Sequence, residues 1–336
     1  MTVVGPFGLS VRDQALEADV QAGLTAVEEG LLEATKSEVP FITEAAQHLV
    51  RAGGKRFRPL LVMLAAQFGD PYAPGIVPSA VVVELTHLAT LYHDDVMDEA
   101  EVRRGVPSAN TRWGNSIAVL TGDFLFARAS HILADLGPEA VRVQAGAFER
   151  LVTGQILETA GPRDERDPID HYLDVLSGKT GSLVAVACRF GAMMSGADDT
   201  VVDVLTQYGE RLGVAFQLAD DVLDIASDSH ESGKTPGTDL REGIPTLPVL
   251  RLRERVERLG LAEDIALCEL LDSDLTDDAR HAEALTRLRA HPALEQARRD
   301  TVRYAEDARA ALAPLVECDA KAALLELCDA VVHRAG

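Results

Sequence analysis

Along almost the whole chain, apolar residues recur three and four positions apart, and no other feature restricts the fold as strongly. Leu16, Val20, Leu24, Val27 and Leu31 set the pattern, which places them on one stripe of a helix. Period-two alternation bounded by tight turns, the mark of strands, is hard to find. Gly, Pro or clustered polar residues interrupt the pattern near 51–59, 70–78, 103–107, 161–168, 196–199 and 227–248. The intervals are long enough for the helices of one large bundle. With no linker and no fixed-period repeat, the chain is expected to be all-α, a single domain over residues 1–336. Its length and its 47% of hydrophobic residues allow a large core. Aromatics are only 4%, which leaves Leu, Val and Ala to fill that core.

Charge narrows the function. Lys and Arg number 32 against 54 Asp and Glu, a formal net charge of -22, and such a field repels polyanions at long range. Nucleic acid and anionic membrane surfaces are therefore poor partners, and a phosphate-bearing substrate would need a local basic cluster or a bound metal. The four cysteines are far apart with no CxxC spacing, as expected of reduced thiols in a cytoplasmic protein. The first twenty residues lack a basic start followed by an apolar run. The longest uncharged stretches are too short to cross a bilayer, so no integral membrane segment is expected.

Two segments repeat one acidic pattern, DDxxD: Asp94, Asp95 and Asp98, then Asp220, Asp221 and Asp224. On a helix the first and last Asp share a face, where like charges repel by a few tenths of a kcal/mol unless a cation rewards them. Oxygen-only ligands suit Mg²⁺, which keeps waters and completes its shell with substrate phosphates. One such motif is as well explained by a solvated acidic face, but two by chance are rare, on the order of a few per cent. Leu85, Leu88 and Leu91 before the first motif, and Val214, Phe216 and Leu218 before the second, predict largely buried helices for both.

The segment Arg51 to Arg58, RAGGKRFR, carries four basic residues and no acidic one. Its glycines let the backbone approach a ligand, and Lys55 with Arg58 can grip a diphosphate; the plainer alternative is a basic loop paired with surface acids. Arg103 and Arg104 follow the first motif. His87 lies two turns before Asp94 on the same helix face, a position equally open to a packed core histidine. Lys179 and Thr180 follow Gly178 at a break, and Gln217 lies one turn before Asp221.

Taken in order, GGKRFRP at 53–59, HDDVMDEAEVRRG at 93–105, GDFLFARA at 122–129, GKTGSL at 178–183, FQLADDVLD at 216–224 and SGKTPGTDLREGIPTLP at 232–248 resemble one family over nearly the whole chain. It is that of the trans-isoprenyl diphosphate synthases, or polyprenyl synthetases. The resemblance implies an all-α helical bundle around a deep central cavity, usually homodimeric. It also implies a prenyltransferase that joins isopentenyl diphosphate to an allylic diphosphate, with two to three Mg²⁺ ions bridging the substrate diphosphate. By position it makes Asp94, Asp98 and Asp220 the main direct Mg²⁺ ligands, with Asp95, Asp221 and Asp224 supporting them or binding through water. It puts Lys55, Arg58, His87 and Arg104 on the diphosphate of isopentenyl diphosphate. Arg103 and Lys179, assisted by Lys234, would hold the allylic diphosphate, and Thr180 and Gln217 would lie beside the developing carbocation. One departure is visible: many members have Lys after the Gly of EGKxTLP, whereas this chain reads Glu242, Gly243, Ile244.

Chain length is expected to depend on Ala89 and Thr90, five and four residues before Asp94. Both are small where short-chain members often carry an aromatic floor, and they should face the path of the growing chain. The two-residue spacer Val96 and Met97 also resembles the long-chain enzymes that make quinone side-chain precursors. A long all-trans product is therefore expected, with a farnesyl or geranylgeranyl synthase as the alternative. A terpene cyclase would carry an Asn, Ser and Glu set in place of the second motif. A non-catalytic subunit of a heteromeric synthase would usually have lost one or both motifs.

Overall fold

The computed structural model describes residues 2–4, 9–11, 14–163, 166–226 and 236–335. Their regular structure is helical apart from two small antiparallel strand pairs, β1 (Thr2–Val4) with β2 (Leu9–Val11) and β3 (Val102–Arg103) with β4 (Val106–Pro107). Two compact units are distinguished, each assembled from separate stretches of chain: 1–149 with 183–209 and 311–327, and 150–182 with 210–310 and 328–336.

The first unit holds α1 (Gln14–Ala34), α2 (Pro40–Arg51), α3 (Phe57–Ala66), α4 (Ile76–Met97), α5 (Ala109–Trp113), α6 (Asn115–Leu136) and the first part of α7 (Pro138–Ala160). Its centre is α4, buried at Ile76, at Ser79 through Thr86, and at Leu88, Ala89, Tyr92 and Asp95. A helix buried nearly all round is a core helix rather than an amphipathic surface one. Tyr92 ties it to α2: its hydroxyl donates to Ala45 O at 2.6 Å and accepts from Leu49 N–H at 3.3 Å. On the other side, α6 lies so close that a Cβ on Gly122 would collide with the His93 ring and come 3.1 Å from Ala89 O. By length and composition α6 could cross a membrane. It buries Ala118, Thr121, Gly122, Leu125, Ala129 and Leu133 along one face, as a core-facing helix does.

The second unit contains α8 (Pro168–Leu176), a π-helical turn (Ser177–Gly181), most of α10 (Asp199–Ala226), α11 (Thr238–Arg241), α12 (Leu247–Leu259), α13 (Ala262–Leu271), α14 (Asp278–Arg289) and α15 (Pro292–Ala311). The helices α9 (Ser182–Met194) and α16 (Asp319–Ala335) complete the chain. Leu218, Val222 and Ile225 of α10 pack with Leu250 and Leu252 of α12, Leu267 of α13 and Leu288 of α14 into one core. The start of α8 is set by Asp167, whose carboxylate accepts from the N–H groups of Ile169 at 2.8 Å and Asp170 at 3.0 Å, with Pro168 at the first helical position.

The helical spacing of 16–31 is realised in α1, where Leu16, Val20, Val27 and Leu31 are buried. Further breaks at 113–115, 136–138, 259–262, 271–278 and 289–292 divide stretches that the sequence pattern leaves continuous. Two of them turn on a lone Gly, Gly114 and Gly260, a weak signal beside Pro or a polar cluster.

Burial and capping should separate cleanly in stability measurements. Leu288→Ala, at a fully buried position, should cost about 2–5 kcal/mol, and Asp167→Ala about 1 kcal/mol, measured by urea unfolding. A cap variant as damaging as the core variant would contradict this account.

Candidate active site

In the first unit, Asp94 and Asp95 occupy the last turn of α4, and Asp98 caps it in helical geometry, its N–H donating to Asp94 O at 2.8 Å. The motif is less buried than its apolar flank predicts: Asp94 is half-buried, Asp98 exposed, and only Asp95 fully buried. The hairpin β3–β4 brings Arg103 back, and its Nε donates to Asp95 Oδ1 at 2.6 Å. Burial raises the pKa of Asp95, opposed by Arg103. Its Oδ2 is buried with no hydrogen-bond partner, an acceptor that a water of a metal's shell would satisfy.

The basic cluster is organised by a residue that belongs to no motif, Glu84. It is buried on α4 and accepts from Arg56 Nη1 at 3.0 Å, with Arg104 Nη2 at 3.9 Å. Arg56, itself buried, also pairs with Glu28 and donates to Val50 O at 3.0 Å. It holds a left-handed backbone, φ 48°, at the N-cap of α3, a conformation costly for a branched-off side chain and kept only where surroundings enforce it. Arg104 donates to Leu49 O at 3.1 Å and to Gly53 O. Its guanidinium passes within 2.9–3.1 Å of where a Cβ on Gly54 would stand, so glycine there makes room for the side chain. Arg58 has a buried Nε without a partner, and burial, with Arg104 adding to it, lowers its pKa. Desolvation first, then Arg58, Arg104, Arg56 and Arg103, hold the His87 imidazole well below its usual pKa, hence neutral. Lys55 is exposed. Three guanidiniums against Glu84 and Glu28 leave a positive surplus suited to an anion.

The second unit carries Asp220, Asp221 and Asp224 inside α10. Asp221 is buried and both its oxygens are used: Tyr172 Oη donates to Oδ2, and Gln217 Nε2 to Oδ1 at 3.0 Å. Burial pushes its carboxyl up to about 6, with those two donors opposing. Thr180 Oγ1 approaches Gln217 Oε1 at 3.4 Å, so Thr180, Gln217, Asp221 and Tyr172 form one polar chain. Thr180 and Lys179 sit in the π-helical turn, an irregularity frequent at functional sites. Lys179 Nζ lies 2.6 Å from Glu158. Asp224 accepts from the N–H groups of Thr238 and Asp239, each at 3.3 Å. Asp220 pairs with Arg334 Nη2 at 2.6 Å. Tyr172 and Arg334 have no local sequence signal as partners of the motif. Lys234 lies outside the described residues, and Ile244 is exposed.

Among the described residues no three His, Cys, Asp or Glu side chains gather closely enough to hold a metal by themselves. The chemistry of the set still fits Mg²⁺, a hard cation content with one or two carboxylates, waters and substrate phosphates. In the first unit Asp98 is exposed and Asp94 half-buried while Asp95 is engaged by Arg103; in the second, Asp220 is partly exposed beside Arg334 while Asp221 is engaged by Tyr172 and Gln217.

The two expected chain-length residues differ in exposure. It is fully buried on the part of α4 that meets α6 at Gly122. Thr90 is half-buried, its Oγ1 donating to His87 O at 2.8 Å. Of the two, only Thr90 reaches accessible space.

The polyprenyl synthetase family model matches residues 39–286. Nonaprenyl diphosphate synthase of Mycobacterium tuberculosis is 48% identical over 332 residues, covering 98% of this chain and 97% of that protein. Among solved structures, geranylgeranyl pyrophosphate synthase from Corynebacterium glutamicum, complexed with calcium and isoprenyl diphosphate, superposes with a TM-score of 0.87 at 42% identity, over 98% of this chain and 100% of that one. Decaprenyl diphosphate synthase from Rhodobacter capsulatus gives a TM-score of 0.85 at 35% identity, over 96% and 99%. Likeness this extensive, running through both acidic motifs, is that of common descent: the chain belongs to the polyprenyl synthetase family, the trans-isoprenyl diphosphate synthases, and is a prenyltransferase.

Proposed function

We propose that this chain is a long-chain polyprenyl diphosphate synthase, joining isopentenyl diphosphate units 1'-4 onto an allylic diphosphate to give an all-trans precursor of a quinone side chain. The observation that carries the substrate class is the basic cluster around Glu84, whose Arg58 keeps a buried donor unspent. The long product is supported by the 48% identity to a nonaprenyl diphosphate synthase and by the small side chains of Ala89 and Thr90. The likeness to a geranylgeranyl pyrophosphate synthase favours the second reading, a shorter product.

In this reading Lys55, Arg58, His87 and Arg104 hold isopentenyl diphosphate, the guanidiniums by their forks. Arg103, Lys179 and Lys234 hold the allylic diphosphate, Lys179 exchanging Glu158 for it. Asp94, Asp98 and Asp220 ligate Mg²⁺, with Asp95, Asp221 and Asp224 fixing their surroundings. Bound Mg²⁺ supplies charge neutralisation on the departing allylic diphosphate. The Thr180 hydroxyl and the Gln217 amide turn their dipoles to the allylic carbon as positive charge develops on it. The alkene is the nucleophile, so no side-chain nucleophile is required, and the released diphosphate takes the proton. We further propose one domain over 1–336, acting in the cytoplasm as a homodimer. The exposed apolar Val119, Leu120 and Val141 of α6 and α7 are a suitable contact for a second copy.

Three outcomes test this. Purified protein given Mg²⁺, an allylic diphosphate and labelled isopentenyl diphosphate should release products longer than about twenty carbons, and Thr90→Phe should shorten them, since a prenyl tail must pass that position; short products from the unaltered enzyme would establish the second reading. Arg58→Ala should lower kcat/KM for isopentenyl diphosphate about tenfold or more, the worth of a charge-assisted hydrogen bond, with little change in the allylic KM. Asp94→Ala should slow turnover by about 10² to 10³, as when one electrostatic partner of a transition state is lost. Normal turnover by Asp94→Ala would refute its role.

A further inference from the structure

The end of α16 sits on the second acidic motif. Arg334 donates from Nη2 to Asp220 Oδ1 at 2.6 Å, and its guanidinium carbon lies 4.7 Å from the centroid of the Phe216 ring. Phe216 and Asp220 are one turn apart on α10, so an aromatic face and a carboxylate form two sides of one cation seat. Arg334 is 27% exposed and Asp220 37%, so the pair is neither sealed in the core nor loose on the surface.

Arg334 and a bound metal would draw on the same carboxylate. A divalent ion ligated by Asp220 needs an oxygen lone pair at about 2.0–2.1 Å. Arg334 already draws on the charge of this carboxylate at Oδ1, and two cations sharing one carboxylate repel. We propose that Arg334 is a positioning residue for Asp220: it holds the carboxylate in place before metal arrives and competes with the metal for its negative charge, so that metal binding weakens the Arg334 contact. This rests on the reading of Asp220 as a metal ligand. It assigns to the C-terminal helix a part in setting metal affinity, and it gives an unusual sign. Removing a residue that merely braces the site weakens metal binding, whereas removing a competitor tightens it.

The test is Mn²⁺ binding to the full chain in the presence of inorganic diphosphate, with free Mn²⁺ followed by its paramagnetic resonance signal. Arg334→Gln should tighten Mn²⁺ binding about three- to tenfold, the scale of a half-exposed ion pair reinforced by an aromatic face. Phe216→Leu, which removes the ring and leaves the carboxylate, should change affinity in the same direction but less, and it preserves the test if Arg334→Gln fails to fold. Asp220→Asn should weaken binding, and adding Arg334→Gln to it should then have no further effect. Unchanged or weaker binding in Arg334→Gln and Phe216→Leu, with Asp220→Asn weakened, would overturn the competition and leave the metal reading standing. Wild-type affinity in Asp220→Asn would overturn both.

Discussion

A carboxylate taken out of water has to be matched by donors, and each unit holds such groups: Glu84 and Asp95 in the first, Asp221 in the second. Burial raises the pKa of Asp95 and of Asp221, which is the signature of desolvation. Each is answered by a donor from another element: Arg103 from the β3–β4 hairpin, Tyr172 from α8. The short hairpin after the first motif and the capped start of α8 thereby acquire a purpose. They return one side chain each to an acid that would otherwise be charged and alone, or protonated and of no use to a metal.

Glu84 does the converse for positive charge. Arg56, Arg58 and Arg104 repel one another and are partly desolvated, as the lowered pKa values of Arg58 and Arg104 record. One buried carboxylate among them lets the cluster form, and its incomplete neutralisation leaves room for a diphosphate. The neutral His87 beside it is the counterpart on the imidazole side: the same guanidiniums that attract an anion discourage a further proton. A protein of net charge -22 thus still gathers three guanidiniums, Arg56, Arg58 and Arg104, about Glu84.

Much of the site was legible before any coordinates. The two DDxxD motifs and RAGGKRFR are contiguous, and their spacing states their chemistry. Less legible was how buried they would be. The apolar flanks of Asp94 and Asp98 predict a buried motif, yet the helix ends there, with Asp94 half-buried and Asp98 exposed. Ala89 and Thr90 read alike from their distance to Asp94, yet Ala89 is fully buried where α6 approaches at Gly122 while Thr90 is half-buried. Glu84 was passed over because a single acid in an apolar run carries no motif.

The sequence by itself determined the helical class, the family and the acidic and basic side chains of the site, because periodicity and short spacing are properties of neighbouring residues along a chain. Only the tertiary structure decided which partner each charge would have. Arg56 and Glu84 are 28 residues apart, Tyr172 and Asp221 are 49, and Asp220 and Arg334 are 114. Such pairs are selected by the cost of burying an unmatched charge once the helices have packed, and that cost does not exist until the fold does.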